Sequence, residues 1–137
     1  MFNDGDPHLS KDGKTLYFIS TRPSEALIES RDIWMVRRMA DGNWDRAERL
    51  TKPINSMKNE FGPITTANGD LYFVYDREGG YGQGDIYIAE QYGDHFLPPV
   101  NLGKVINGPK GEWNLEISDD GEIMIFEASQ RKENKSS

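Results

Sequence analysis

Hydrophobic residues along this chain gather in short runs or alternate with polar ones, and no stretch holds them at the three-to-four spacing of an amphipathic helix. Three of the runs follow a glycine. Leu16, Tyr17 and Phe18 come after Gly13, Leu71, Tyr72 and Phe73 after Gly69, and Met124, Ile125 and Phe126 after Gly121. With the glycines in register, whole phrases align: SKDGKTLYFISTR, TANGDLYFVYDR and SDDGEIMIFEASQR, spaced by 56 and then 52 residues with a one-residue slip after the turn. A period of that length marks a repeat architecture. Asp12, Asn68 and Asp120 stand just before the glycines and supply the positive φ values of a tight hairpin turn. Each phrase is predicted to form strand, turn and strand, with the aromatic and β-branched run as a buried inner strand.

A third strand follows from RDIWMVR at 31–37, which matches GDIYIAE at 84–90 with an offset of 53. A fourth follows from NWDRAERLTKPIN at 43–55 and DHFLPPVNLGKVIN at 94–107, with an offset of 52 that sets Trp44 over Phe96, Leu50 over Leu102, Ile54 over Ile106 and Asn55 over Asn107. Four short antiparallel strands in each unit of roughly 50 residues is the logic of a β-propeller blade rather than of a solenoid or an immunoglobulin-like sandwich. PHLSKDGKTLYFISTR, DIWMV, DIYIA, NLGKVIN and the acidic residue before each first strand resemble the TolB-type, WD-like β-propeller repeats of bacterial envelope proteins, over nearly the whole chain. The resemblance implies first strands that start near Pro7, Pro63 and Leu115 and line a central channel. The expected fold is all-β, a partial β-propeller of about two and a half four-stranded antiparallel blades in one domain, 1–137. Blade one covers about 4–56, blade two about 57–108 and a half blade about 109–129, with 130–137 as a flexible tail.

Composition narrows the function classes. A chain of 137 residues is one domain's worth, and its three Trp, six Tyr and six Phe set it apart from a disordered polyelectrolyte although only 36% of it is hydrophobic and its mean hydropathy is −0.73. A net charge of −7 repels a phosphate backbone, and no cluster of Lys and Arg interleaves with aromatics, so nucleic acid is not an expected partner. The basic end RKENKSS reads as a solvated terminus. With no cysteine, disulfides, thiolate nucleophiles and Cys-type zinc sites are excluded. No apolar stretch reaches the length of a signal peptide or a membrane span, so membrane insertion is not expected. The chain is then cytosolic as written, or lacks a trimmed leader; the family resemblance implies a periplasmic or cell-envelope address.

A carboxylate stands nine residues before each turn glycine, at Asp4, Glu60 and Glu112. These acids form a candidate ligand-binding ring at the channel mouth, with hard oxygen ligands for a cation or cationic ligand. Alternatively, each accepts N–H bonds from a neighbouring blade and sets blade spacing. Trp113 beside Glu112 matches Phe61 and is the aromatic expected nearest the mouth, whereas Trp34 and Trp44, which match Tyr87 and Phe96, are read as core between blades. Asp32 and Asp85 before the third strands, and Arg22 and Arg77 after the second, are read as structural repeat residues linked in Asp–Arg pairs. REGGYGQGD at 77–85 leads into a strand rather than a helix, which rules against a phosphate cradle. His8 and His95 are unmatched between repeats, so no His-type metal site is expected, and no helix-borne nucleophilic serine is offered. No cofactor is implied. The favoured function is a non-catalytic binding or scaffolding module contacting protein or glycan partners. The alternative is a carbohydrate-active propeller hydrolase or lyase using channel-mouth carboxylates such as Glu60 and Glu112. The edge at 123–128, left without a third strand, is expected to be available for self-association.

Overall fold

The computed structural model describes residues 1–23 and 30–129, and those residues contain twelve β-strands and no helix. The strands are β1 (Asp4–Leu9), β2 (Thr15–Ser20), β3 (Asp32–Arg37), β4 (Glu48–Arg49), β5 (Glu60–Thr65), β6 (Leu71–Tyr75), β7 (Asp85–Ala89), β8 (Gln91–Tyr92), β9 (His95–Phe96), β10 (Val100–Asn101), β11 (Glu112–Ile117) and β12 (Met124–Ala128). They form a four-stranded sheet β1-β2-β3-β4, a second four-stranded sheet β10-β7-β6-β5, a two-stranded sheet β11-β12 and a small β8-β9 hairpin. All pairings between named strands are antiparallel. The chain is therefore all-β, and its two four-stranded sheets and the β11-β12 hairpin follow the three repeats in order. The tail at 130–137 lies outside the described residues.

The glycine-anchored turns form as hairpins with one change of detail. Gly13, Gly69 and Gly121 adopt φ of 70°, 93° and 75°, and each donates its N–H to the carbonyl three residues back, on Ser10, Thr66 and Ser118 (2.8, 3.0 and 2.8 Å). Asp12, Asn68 and Asp120 do not share the left-handed conformation. Their side chains act instead, accepting the N–H of Lys14, Asp70 and Glu122, as Asx turns do. The predicted fourth strands shrink to two-residue pairings. Phe96 belongs to the β8-β9 hairpin, and it is Val100–Asn101 that returns to pair with Tyr87 and Ile88.

Period-two alternation gives the second sheet two buried faces. Leu71, Phe73 and Tyr75, with Tyr87 and Ala89, pack against Tyr17, Ile19, Ile33, Leu50 and Ile54 of the first sheet and its loop. Val74 and Ile86, with Ile64, pack the other way against Leu115, joined by Ile117, Met124 and Phe126. The sheets are thus stacked in series. The three hairpin turns meet at one end of the stack: Ala67 N–H donates to the Asp119 carbonyl (3.0 Å), and Lys11 pairs with Asp119. Trp44, read from the sequence as core, is 45% exposed with the Arg38 guanidinium 5.9 Å from its ring centroid, because its strand is a single bridge to Arg38 at the sheet's outer edge.

Candidate functional site

The first strands of the three sheets run side by side, and each breaks its register at the same place. β1 slips between Gly5 and His8, β5 between Phe61 and Ile64, and β11 between Trp113 and Glu116. At the centre of each bulge is a left-handed residue: Asp6 (φ 46°), Gly62 (φ 53°) and Asn114 (φ 49°). Asp and Asn are the non-glycine residues that tolerate this region best. A bulge adds one residue to one strand and re-aims the side chains beside it. Here the three bulges line a common cleft of about 450 Å³ with His8, Trp113 and Glu116 at its walls. Gly62 N–H donates to Asp6 Oδ2 (3.0 Å), which ties the first bulge to the second. Trp113 meets Phe61 edge-on with centroids 6.2 Å apart, and its ring lies against Gly84 and Gly111, where added Cβ atoms would fall 2.9 and 2.7 Å from it. It remains 37% exposed.

His8 joins β1 to β5: Thr65 N–H donates to its Nε2 (2.9 Å), with Thr65 Oγ1 3.0 Å from the same nitrogen. The bond requires the lone pair of the neutral ring. Burial lowers the pKa of His8 below the ordinary value of 6.5, against the opposing pull of Glu116.

The acidic ring expected from the sequence is not a ring facing one channel. Glu60 and Glu112 are both 0% exposed, whereas Asp4 is exposed. Each carboxylate serves the chain nearby. Asp4 accepts the Ser20 hydroxyl (2.6 Å) and the Arg22 guanidinium (2.9 Å), Glu60 Oε1 accepts the N–H and hydroxyl of Ser56 (3.1 and 2.6 Å), and Glu112 Oε1 accepts the N–H of Gly108 (2.9 Å). Their backbones make the contacts between sheets, since Glu60 N–H donates to Arg31 O and Glu112 N–H to Gly84 O (2.9 Å each). Glu60 Oε2 is buried with no hydrogen-bond partner among the described residues. Burial first, then the negative charge of Asp32, pushes the Glu60 carboxyl up to about 7.

The expected Asp–Arg pairs are rearranged. Asp32 binds Arg49 Nε (2.6 Å) rather than Arg22, and it also accepts the Ser30 hydroxyl. Asp85 accepts the N–H groups of Tyr81 and Gly82 (2.6 and 2.9 Å) and the Asn101 amide (2.8 Å), so it holds the glycine-rich loop shut against β7. Arg22 lies over Phe18 and Trp34, and Arg77 over Tyr75 and Tyr87, within 4.5–5.7 Å of the ring centroids.

Two sets of residues escaped the sequence reading. Asn55 and Asn107 each bond both the N–H and the carbonyl of the second residue of a third strand, Ile33 or Ile86, at 2.7–3.0 Å. Their alignment across repeats was the available signal. The bulge residues left a fainter one, a column reading Asp, Gly, Asn. Among the described residues no group of three or more His, Cys, Asp or Glu is placed to hold a metal ion, and no helix is long and apolar enough to cross a membrane. No family model, curated protein or solved structure matches the chain, so the likeness to TolB-type repeats rests on the motifs themselves.

Proposed function

We propose that the chain is a non-catalytic binding module, built as two and a half blades of a TolB-like β-propeller, that seats a glycan in the cleft between the three bulged first strands. The observation that carries this reading is the coincidence of three left-handed bulges on one cleft beside a partly exposed Trp113. The serial stacking of two four-stranded sheets and a hairpin, with first strands adjacent and turns converging at one end, supports blades arranged around an axis. An aromatic ring flanked by carboxylates suits a hydroxyl-rich sugar: the ring covers the C–H face while Asp6 and Glu116 accept hydroxyl or ammonium hydrogens. A bacterial periplasmic or envelope address belongs to the same proposal and derives from the motif resemblance. The hydrolase alternative needs Glu60 and Glu112 to reach a substrate, and both side chains are closed off.

The test is retention of the purified chain on immobilised neutral, amino and uronic-acid oligosaccharides. Neutral and amino sugars are expected to bind while uronic acids are rejected by the acidic cleft. Glu116→Gln should weaken amino-sugar binding about tenfold, the loss of one charge-assisted bond, at unchanged Tm. Failure of all three classes, or binding indifferent to Glu116→Gln and Trp113→Leu, would sink the reading.

A further inference from the structure

The acid that opens the first strand meets the arginine beyond the second strand in only one of the two four-stranded sheets. Asp4 stands against Ser20 and Glu60 against Tyr75, so Arg22 and Arg77, each two residues further on, occupy the same place in the repeat. Asp4 binds Arg22 Nη2 at 2.9 Å. Glu60 turns inward instead and accepts the N–H and hydroxyl of Ser56. Arg77 keeps its guanidinium over Tyr75 and Tyr87, 4.5 and 5.6 Å from the ring centroids, and forms no ion pair among the described residues. It lines a cavity of about 460 Å³ together with Lys52 and Lys58, which likewise form no ion pair among the described residues. Glu78 is the one carboxylate among the described residues of that lining, and the cavity shares no residue with the bulge cleft.

We infer that this cavity binds a phosphate monoester, with Arg77 as its bidentate anchor and Lys52 and Lys58 as flanking charges. The planar guanidinium fork matches a pair of phosphate oxygens, and the tyrosine rings beneath it hold the side chain in place, so little of its freedom is lost on binding. Three cations set against one carboxylate leave an excess that a dianion neutralises and a single carboxylate does not. The cavity is larger than a phosphate group, and Pro53 and Met57, the latter 73% exposed, give an apolar wall for the ester's organic part. The affinity is local, because the net charge of −7 makes the field of the chain as a whole oppose the same anion. Lys52 and Lys58 come from the loop between β4 and β5 and Arg77 from the end of β6, so the ligand ties that loop to the second sheet.

The experiment titrates the full chain with phenyl phosphate, inorganic phosphate, dimethyl phosphate and acetate at low salt and about pH 7.5, where a monoester is a dianion, and follows the amide NMR shifts. Phenyl phosphate is expected to bind with a Kd of about 0.1–1 mM, ahead of inorganic phosphate, and to move the amides of 52–58 and 75–78. Dimethyl phosphate and acetate, each a monoanion, should bind at least about fivefold more weakly. Arg77→Gln should weaken phenyl phosphate about tenfold or more, the loss of a charged bidentate bond, and Arg77→Lys, which keeps the charge without the fork, by less. Lys52→Gln changes an exposed side chain and keeps the test open if the Arg77 variants fold poorly; a loss of about twofold to fivefold is expected there. No binding, shifts confined to other residues, or an affinity untouched by Lys52→Gln would overturn the inference. Acetate or dimethyl phosphate binding as tightly as phenyl phosphate would overturn the dianion, and inorganic phosphate binding more tightly would overturn the ester. Phenyl phosphate binding by a chain that retains no sugar would remove the glycan reading alone, and sugar retention without it would remove this inference alone.

Discussion

Glu60 sits with its carboxyl wholly buried beside Asp32, and its pKa of about 7 means that the folded chain keeps a proton which the unfolded chain releases near 4.5. Stability from this group is present below pH 4.5 and is lost as the pH rises through about 7. His8 works in the opposite sense. Its pKa is lowered, so as the pH falls below 6.5 the unfolded chain takes up the proton first, and stability declines through the folded value. The acid loss coincides with breakage of the Thr65–His8 bond between the first two sheets. Glu60→Gln keeps an oxygen for Ser56 and removes the alkaline penalty. Its unfolding free energy should therefore change less than the wild type's between pH 5 and 8, by up to about 3 kcal/mol, read by urea denaturation across that range.

Among the strands and their connections, Asn55 and Asn107 do the work that a longer fourth strand would do. β4 and β10 are two residues each, and the buried amide supplies an acceptor for the N–H of Ile33 or Ile86 and a second donor to its carbonyl, which the N–H of Leu50 or Leu102 also reaches (3.0 and 3.1 Å). Asn55 also donates to the Leu50 carbonyl (2.6 Å), which ties the loop after β4 to β3. Asn55→Ala takes the side-chain partner from the buried Ile33 N–H and Leu50 carbonyl, while the Ile33 carbonyl keeps the Leu50 N–H, and should cost about 2–4 kcal/mol. Asn55→Asp, which keeps the acceptor and loses both donors, should also be strongly destabilising. Equilibrium denaturation of the two variants measures both, and near-neutral results would show that backbone pairing suffices.

At the scale of the whole molecule, the second sheet is the only one among the described residues with cores on both faces, and the third sheet exists to cover one of them. Ending the chain after Gly108 removes Leu115, Ile117, Met124 and Phe126 and bares Ile64, Val74 and Ile86. Each newly exposed side chain forfeits about 1.5–3 kcal/mol of burial, a large share of a domain's net stability. The shortened chain should bind a hydrophobic dye and lose near-ultraviolet circular dichroism while keeping strand signal in the far ultraviolet. A cooperative transition at the full chain's Tm would contradict that dependence.

The sequence alone determined the longer strands, the three glycine-closed hairpins and their grouping into three antiparallel units, because alternation and turn chemistry act over a few neighbouring residues. The β8-β9 hairpin and the exposure of Trp44 were decided otherwise, since the repeat alignment matched residues without knowing which would find a partner strand. Only the tertiary structure chose Arg49 over Arg22 for Asp32, closed Glu60 and Glu112 away from solvent, and brought Asp6, Gly62 and Asn114 to one cleft. Those outcomes depend on which groups approach within a few ångströms after the sheets stack, and a carboxylate's burial and partner are properties of that stacking rather than of its place in the repeat.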